Sequence, residues 1–214
     1  MTRIRTARAG ALLLLALACA RNDAREPAPD LGGGQIVTDP VVPLECTPSG
    51  NMPVEGRQSP YDSVTVRVGD QQLRLCYGRP YAQGRVIFGG LVPWDTLWRT
   101  GANEPTILHL PFTADIAGLR VPPGSYSLYT VPRQEGDWEL IINRSTAQWG
   151  HPSSYTPEVQ AQELGRAPIR TERMDQAMEQ FTIRGESTSA GADLVLEWER
   201  TRVRIPIRVQ SSQE

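Results

Sequence analysis

From residue 60 onward, apolar and polar positions alternate in short runs separated by turn-forming residues. In SVTVRV, Val64, Val66 and Val68 share one face while Thr65 and Arg67 take the other, the period of two of a half-buried strand. QLRLCYG repeats the pattern with Leu73, Leu75 and Tyr77 inward and Cys76 facing away. Further strands are predicted over TILHLPF (106–112), YSLYTV (126–131), WELIIN (138–143), APIRT (167–171) and QFTIR (180–184). The turn-rich segments between them punctuate an antiparallel sheet.

The end of the chain predicts a hairpin about Arg200-Thr201, formed by DLVLEWE and RVRIPIRV. Glu199 would then face Arg202, Trp198 Val203, Glu197 Arg204, Leu196 Ile205, Leu194 Ile207 and Asp193 Arg208. Every pair is apolar with apolar or acid with base, the matching that sets register. The row Arg202, Arg204, Arg208 reads as a solvated face with acidic neighbours, and Pro206 places its strand at an edge or a bulge. One helix start stands out. Thr156 can cap, Pro157 suits the first helical position and Glu158 the first turn, which predicts a short helix over PEVQAQEL. The expectation is an all-β fold: an antiparallel two-sheet β-sandwich of about nine strands with one short helix.

The amino terminus has a different character. Arg3, Arg5 and Arg8 precede the apolar run Ala11–Ala18, which has the length of a signal-peptide core and is too short to span a bilayer. The run ends at Ala16-Leu17-Ala18-Cys19, which resembles the lipobox of bacterial lipoproteins, although Ala16 stands where leucine is commonest. Residues 1–18 are therefore expected to be a lipoprotein signal peptide, with Cys19 carrying the lipid; the alternative is a plain secretory signal. Residues 19–58, rich in Pro and Gly, read as a flexible tether, residues 59–210 as the β-domain and 211–214 as a disordered tail. The expected location is the bacterial cell envelope, anchored by lipid in the outer membrane and facing the periplasm, or secretion if the signal is plain. In that oxidising setting the remaining pair, Cys46 and Cys76, is expected to form a disulfide that clamps the tether against the outer sheet face.

Composition removes several function classes. A formal net charge of −2 gives no electrostatic reason to expect nucleic acid as a partner. All 22 basic residues are arginine, which excludes Schiff-base chemistry, a P-loop and a Ser-x-x-Lys acyl enzyme. His109 and His151 are the only histidines, and neither a His-Glu-x-x-His nor a Cys-x-x-Cys motif is present, so no metal or cofactor is expected. His109, opposite the Leu108, Leu110, Phe112 row, reads as a surface-face residue.

The stretch LVPWDTLWRTGANEPT (91–106) packs two tryptophans, an arginine and an Asn-Glu pair among turn residues. One reading is architectural: Trp94 and Trp98 bury their indoles and Arg99 pairs with Glu104. The other brings Arg99, Asn103 and Glu104 to the mouth of a tryptophan-walled pocket for a sugar or a carboxylate. Separated blocks here and downstream agree in order with one family: Arg79-Pro80, Gly84-Arg85, Phe88-Gly89, Trp98-Arg99, Gly101-Ala102-Asn103-Glu104, Gly124 with Tyr126, and Trp149-Gly150. From about residue 59 to 209 the chain closely resembles the bacterial domain of unknown function 2911 family. The resemblance implies a secreted or lipid-anchored β-domain and brings no activity with it.

Candidate ligand-binding residues are Arg79, Arg85, Trp94, Trp98, Arg99, Asn103, Glu104 and His151. The expected function is that of a noncatalytic, membrane-anchored envelope lipoprotein whose β-domain binds a glycan, a small molecule or another envelope protein. The alternative is an envelope hydrolase using Glu104, with Asp95 or Asp137 as a second carboxylate, or using His151 beside Ser153. A serine hydrolase would need a nucleophile elbow, and none is present.

Overall fold

The computed structural model describes residues 42–48 and 53–210. The leader, Cys19, most of the 19–58 segment and the 211–214 tail lie outside the described residues. Nine strands follow in chain order: β1 (Tyr61–Val68), β2 (Gln71–Gly78), β3 (Thr106–Leu110), β4 (Ala114–Ile116), β5 (Leu119–Val121), β6 (Gly124–Val131), β7 (Trp138–Asn143), β8 (Glu163–Thr188) and β9 (Gly191–Val209). They form one open antiparallel sheet in the order β1-β2-β3-β6-β7-β8-β9-β4-β5. The β class, the antiparallel pairing and the near absence of helix match the expectation. The division into two sheets does not, because hydrogen bonds link all nine strands in a single order.

Two long strands are responsible. APIRT and QFTIR are parts of the single strand β8, and DLVLEWE and RVRIPIRV are parts of the single strand β9. The Arg200-Thr201 hairpin is therefore absent; the chain turns at Ser189-Ala190, and Glu172 pairs with Arg202 while Glu186 pairs with Asp193 across β8 and β9. Arg170 faces Arg204 and Glu186 faces Asp193, but Glu172 faces Arg202 and Arg204 reaches Glu172 and Glu186, so β8 also supplies acids to the arginines of β9 and charge complementarity alone misdirects the choice of partner. Glu199, at φ 50, marks an irregularity in β9, and register shifts fall on β8 between Arg173 and Met178 and between Met178 and Thr182. The arginine row is nevertheless a charged face. Arg204 meets Glu172, Glu186 and Asp193, Arg202 meets Glu197, and Arg208 lies 4.0 Å from Asp115.

Beyond its bulges β8 lies over β1 and β2. The Tyr77 hydroxyl accepts from Ile183 N at 3.0 Å, and a Cβ at Gly185 would come within 2.5 Å of Val66 Cγ1. The main core thus gathers the inward rows of β1 and β2, with Val66, Val68, Leu73, Leu75 and Tyr77 buried as expected, and joins them to Leu194, Leu196 and Trp198 of β9. A smaller cluster of Tyr129, Val131 and Ile141 lies under Leu97 and Tyr155. The helix is shorter than expected, Pro157–Gln160, with Thr156 Oγ1 accepting from Val159 N as its cap. It stops because Glu163 already pairs with Asn143 as the first residue of β8.

Cys46 and Cys76 are joined, with their Cα atoms 5.6 Å apart. Arg74 Nη1 donates to Leu44 O at 3.0 Å, so residues 42–48 lie along the outer face, beside the half-buried His109, whose Nδ1 is 2.8 Å from Ser125 Oγ. Burial, and then Arg74, hold the His109 pKa below its ordinary value.

Candidate functional site

The connection from Arg79 to Pro105, between β2 and β3, is irregular but tightly stitched. Ala82 N donates to Glu179 O at 2.7 Å, Phe181 N to Pro80 O at 2.9 Å, and Trp98 exchanges backbone bonds with Thr130 at 2.7 and 2.9 Å. These bonds occupy backbone groups that would otherwise be buried without partners. Gln83, Asp95, Thr100 and Asn103 all have positive φ. Thr100, at φ 54, is the most demanding, since a β-branched residue is disfavoured there. It is held by Thr106 Oγ1, which donates to its carbonyl at 2.6 Å, and by its own Oγ1, 3.2 Å from Thr130 Oγ1. Strain fixed in this way is characteristic of a preformed loop.

The tryptophans anchor the segment. Trp98 stacks on Trp198 with centroids 5.9 Å apart, meets Phe181 edge-on at 5.2 Å, and donates Nε1 to Gly101 O at 3.1 Å. Trp94 instead stacks on Phe88. Between residues 80–85, 91–103 and the 150–152 turn lies a cleft of about 280 Å³. Arg85 and Arg99 both line it, with Tyr81, Gln83 and Asn103, and no acidic side chain is among the lining residues.

Arg99 is the distinctive group. Nη1 donates to Gly150 O at 3.0 Å, whereas Nε is buried with no hydrogen-bond partner. Among the described residues no carboxylate lies within ion-pair distance of it. Burial lowers its pKa from the ordinary value, the effect of an incompletely solvated cation, with Tyr129 and then Glu104 opposing the shift. Arg85 is likewise without a carboxylate among the described residues: Nε donates to Ala82 O at 2.9 Å and Nη2 to Tyr81 O at 2.6 Å. Gly150 is required beside Arg99, because a Cβ there would sit 2.1 Å from Asn103 O and 2.3 Å from Arg99 Cδ.

The family model described as "Protein of unknown function (DUF2911)" matches residues 59–207. The chain belongs to the DUF2911 family. No curated protein and no solved structure matches it.

In this DUF2911 domain the sequence candidates separate into two groups. Arg85, Trp98, Arg99 and Asn103 come together on the cleft. Arg79 lies elsewhere, bonded to Asp62, Phe181 O and Thr182. Trp94 belongs to a different hollow, with Trp138 and Arg133. Glu104 does not pair with Arg99. Its partner is Arg57, whose Nη1 lies 2.9 and 2.8 Å from its two carboxylate oxygens, from a segment whose sequence carries no pattern. His151 is exposed and caps the 3-10 turn Pro152–Ser154, with Nδ1 2.7 Å from Ser153 Oγ and accepting from Ser153 N. Asp95 is exposed and paired with Arg133. Sequence reasoning missed Tyr81, Leu97 and Trp198 on the cleft wall, and Gly150 was visible only as part of the Trp149-Gly150 block.

Proposed function

We propose that this DUF2911 domain is a noncatalytic module that binds a small organic anion in the Arg85–Arg99 cleft. One observation carries the reading: Arg99 is a part-buried cation on the cleft wall without a carboxylate partner, and a bound anion would supply one. The lack of acidic side chains on the lining supports binding over glycoside hydrolysis, which needs a carboxylate pair. The hydrolase alternative loses support from the burial of Glu104 against Arg57 and from the capping role of His151. Titration of the full chain with acetate, octanoate, succinate, citrate and glucuronate by calorimetry tests the reading. At least one should bind, and Arg99→Met should weaken it tenfold or more with the melting temperature nearly unchanged. Absence of heat for every anion would refute it.

The setting is part of the same proposal. The arginine-flanked apolar run ending at Cys19 supports a lipid anchor in the bacterial envelope, with the domain facing the periplasm. Cys19→Ser should move the protein from the membrane fraction to the soluble one. Equal membrane retention of both forms would count against the anchor.

A further inference from the structure

Resting on that reading of the cleft as an anion site, we infer that its ligand is a monocarboxylate with an apolar tail. Donor bookkeeping defines the head. Arg99 commits Nη1 to Gly150 O and its Nε is enclosed by protein, so Nη2, which has no protein acceptor among the described residues, is the donor it can offer a ligand. Arg85 commits Nε and Nη2 to its own loop and retains Nη1. One donor from each guanidinium, Arg99 Nη2 and Arg85 Nη1, matches the two oxygens of a single carboxylate. A volume of about 280 Å³ is at the small end for ligand sites and suits one small molecule better than a polymer.

The walls argue against a sugar. Carbohydrate rings stack on exposed indole faces, but Trp98 is only 6% exposed and Trp198 2%, and they stack on each other. One side of the cleft is apolar instead. Leu91 on its wall is 48% exposed, and Val86, which does not line the cleft but whose carbonyl accepts from Leu91 N at 3.0 Å, is 66% exposed. Leu91 continues inward to Val92, Pro93 and Leu97 on the same wall. A tail leaving the carboxylate at Arg99 along this wall would cover Leu91, a side chain that the folded domain leaves about half in water. Each methylene it buries is worth about a fourfold gain in affinity.

Calorimetry on the full chain with butanoate, octanoate, octanamide, glucuronate and inorganic phosphate separates the possibilities. Octanoate should bind at least tenfold more tightly than butanoate, and octanamide should bind weakly. Leu91→Ser, at an exposed position that folding tolerates, should weaken octanoate severalfold and leave butanoate unchanged, whereas Arg99→Met should weaken both. Affinity independent of chain length, or glucuronate or phosphate binding as well as octanoate, would overturn the apolar tail while leaving the anion site standing. Octanamide equalling octanoate, with Arg99→Met silent, would overturn the anion site, as would failure of every anion to bind.

Discussion

Arg57 and Glu104 form a buried ion pair, Nη1 to Oε2 2.8 Å, with side chains 5% and 1% exposed. The pair ties the segment before β1 to the loop carrying Arg99. Removing one partner leaves an uncompensated charge in a site that water barely reaches. Arg57→Ala or Glu104→Ala should each lower unfolding free energy by about 3–5 kcal/mol. The double change Arg57→Met, Glu104→Leu should cost less than either, as judged by urea denaturation. A neutral Glu104→Ala would show that the pair does not hold the loop.

Arg99 should behave in the opposite way. Its loss removes one bond to Gly150 O but also relieves an unpaired, part-buried charge, and these effects oppose each other. Arg99→Met should therefore leave stability within about 1 kcal/mol of wild type. A loss as large as that for Glu104→Ala would make Arg99 structural and weaken the case for an anion site.

Gly150 tests the geometry of the cleft directly. An added methyl at this position would meet the Asn103 carbonyl and the Arg99 stem, and at least the carbonyl is backbone that cannot swing aside. Gly150→Ala should cost about 1–3 kcal/mol by overpacking. It should also weaken anion binding, because the displaced atoms are those that place the guanidinium. Unchanged melting and binding would mean that the 150 turn does not pack against residues 99–103.

Legibility in the sequence followed the range of the interaction. β1 and β2 were readable because alternation is local and their inward rows are buried, whereas β7, buried on both faces, was readable as a short apolar run between turn residues. β4 and β5, at three residues each, are too short to show a period. The β9 hairpin misled because Glu172 and Glu186, far back along the chain, supply the same acid-base matching that the strand offers itself. The Arg57–Glu104 pair spans 47 positions and joins a patternless segment to a dense one, so no local rule favoured it over the nearer Arg99. The arginines of the cleft were visible as residues; what distinguished Arg99 from Arg79 was the absence of a counterion, which only the fold reveals.

The disulfide closes a loop between positions 30 apart and pins residues 42–48 to the outer face. Loop entropy assigns it about 3–4 kcal/mol. Replacing both Cys46 and Cys76 by alanine should lower stability by about that amount, and reductant should destabilise only the wild type in thermal melts. Insensitivity of the wild type to reductant would contradict a stabilising link.

Acid should loosen the charged face of β8 and β9 before the core. Hydrogen bonds from Arg204 and then Arg184 pull the Glu186 carboxyl from an ordinary 4.5 down to about 2. A carboxyl depressed in the folded state contributes stability above its unfolded pKa and loses that contribution as pH falls from about 4.5 to about 2. Glu186 and its two arginines are each a quarter to a third exposed, so solvent screening limits the effect to about 1 kcal/mol or less. Glu163, beside Arg166, and Glu197, which its arginine bonds stabilise against the cost of burial, are also depressed, so the decisive quantity is the difference between wild type and Glu186→Gln. That difference should be largest near neutral pH, shrink progressively below pH 4.5, vanish near pH 2 and diminish with added salt. A gap that stays constant across this range would mean that Glu186 contributes through packing, and that the arginine row of β9 is held by its other acidic neighbours.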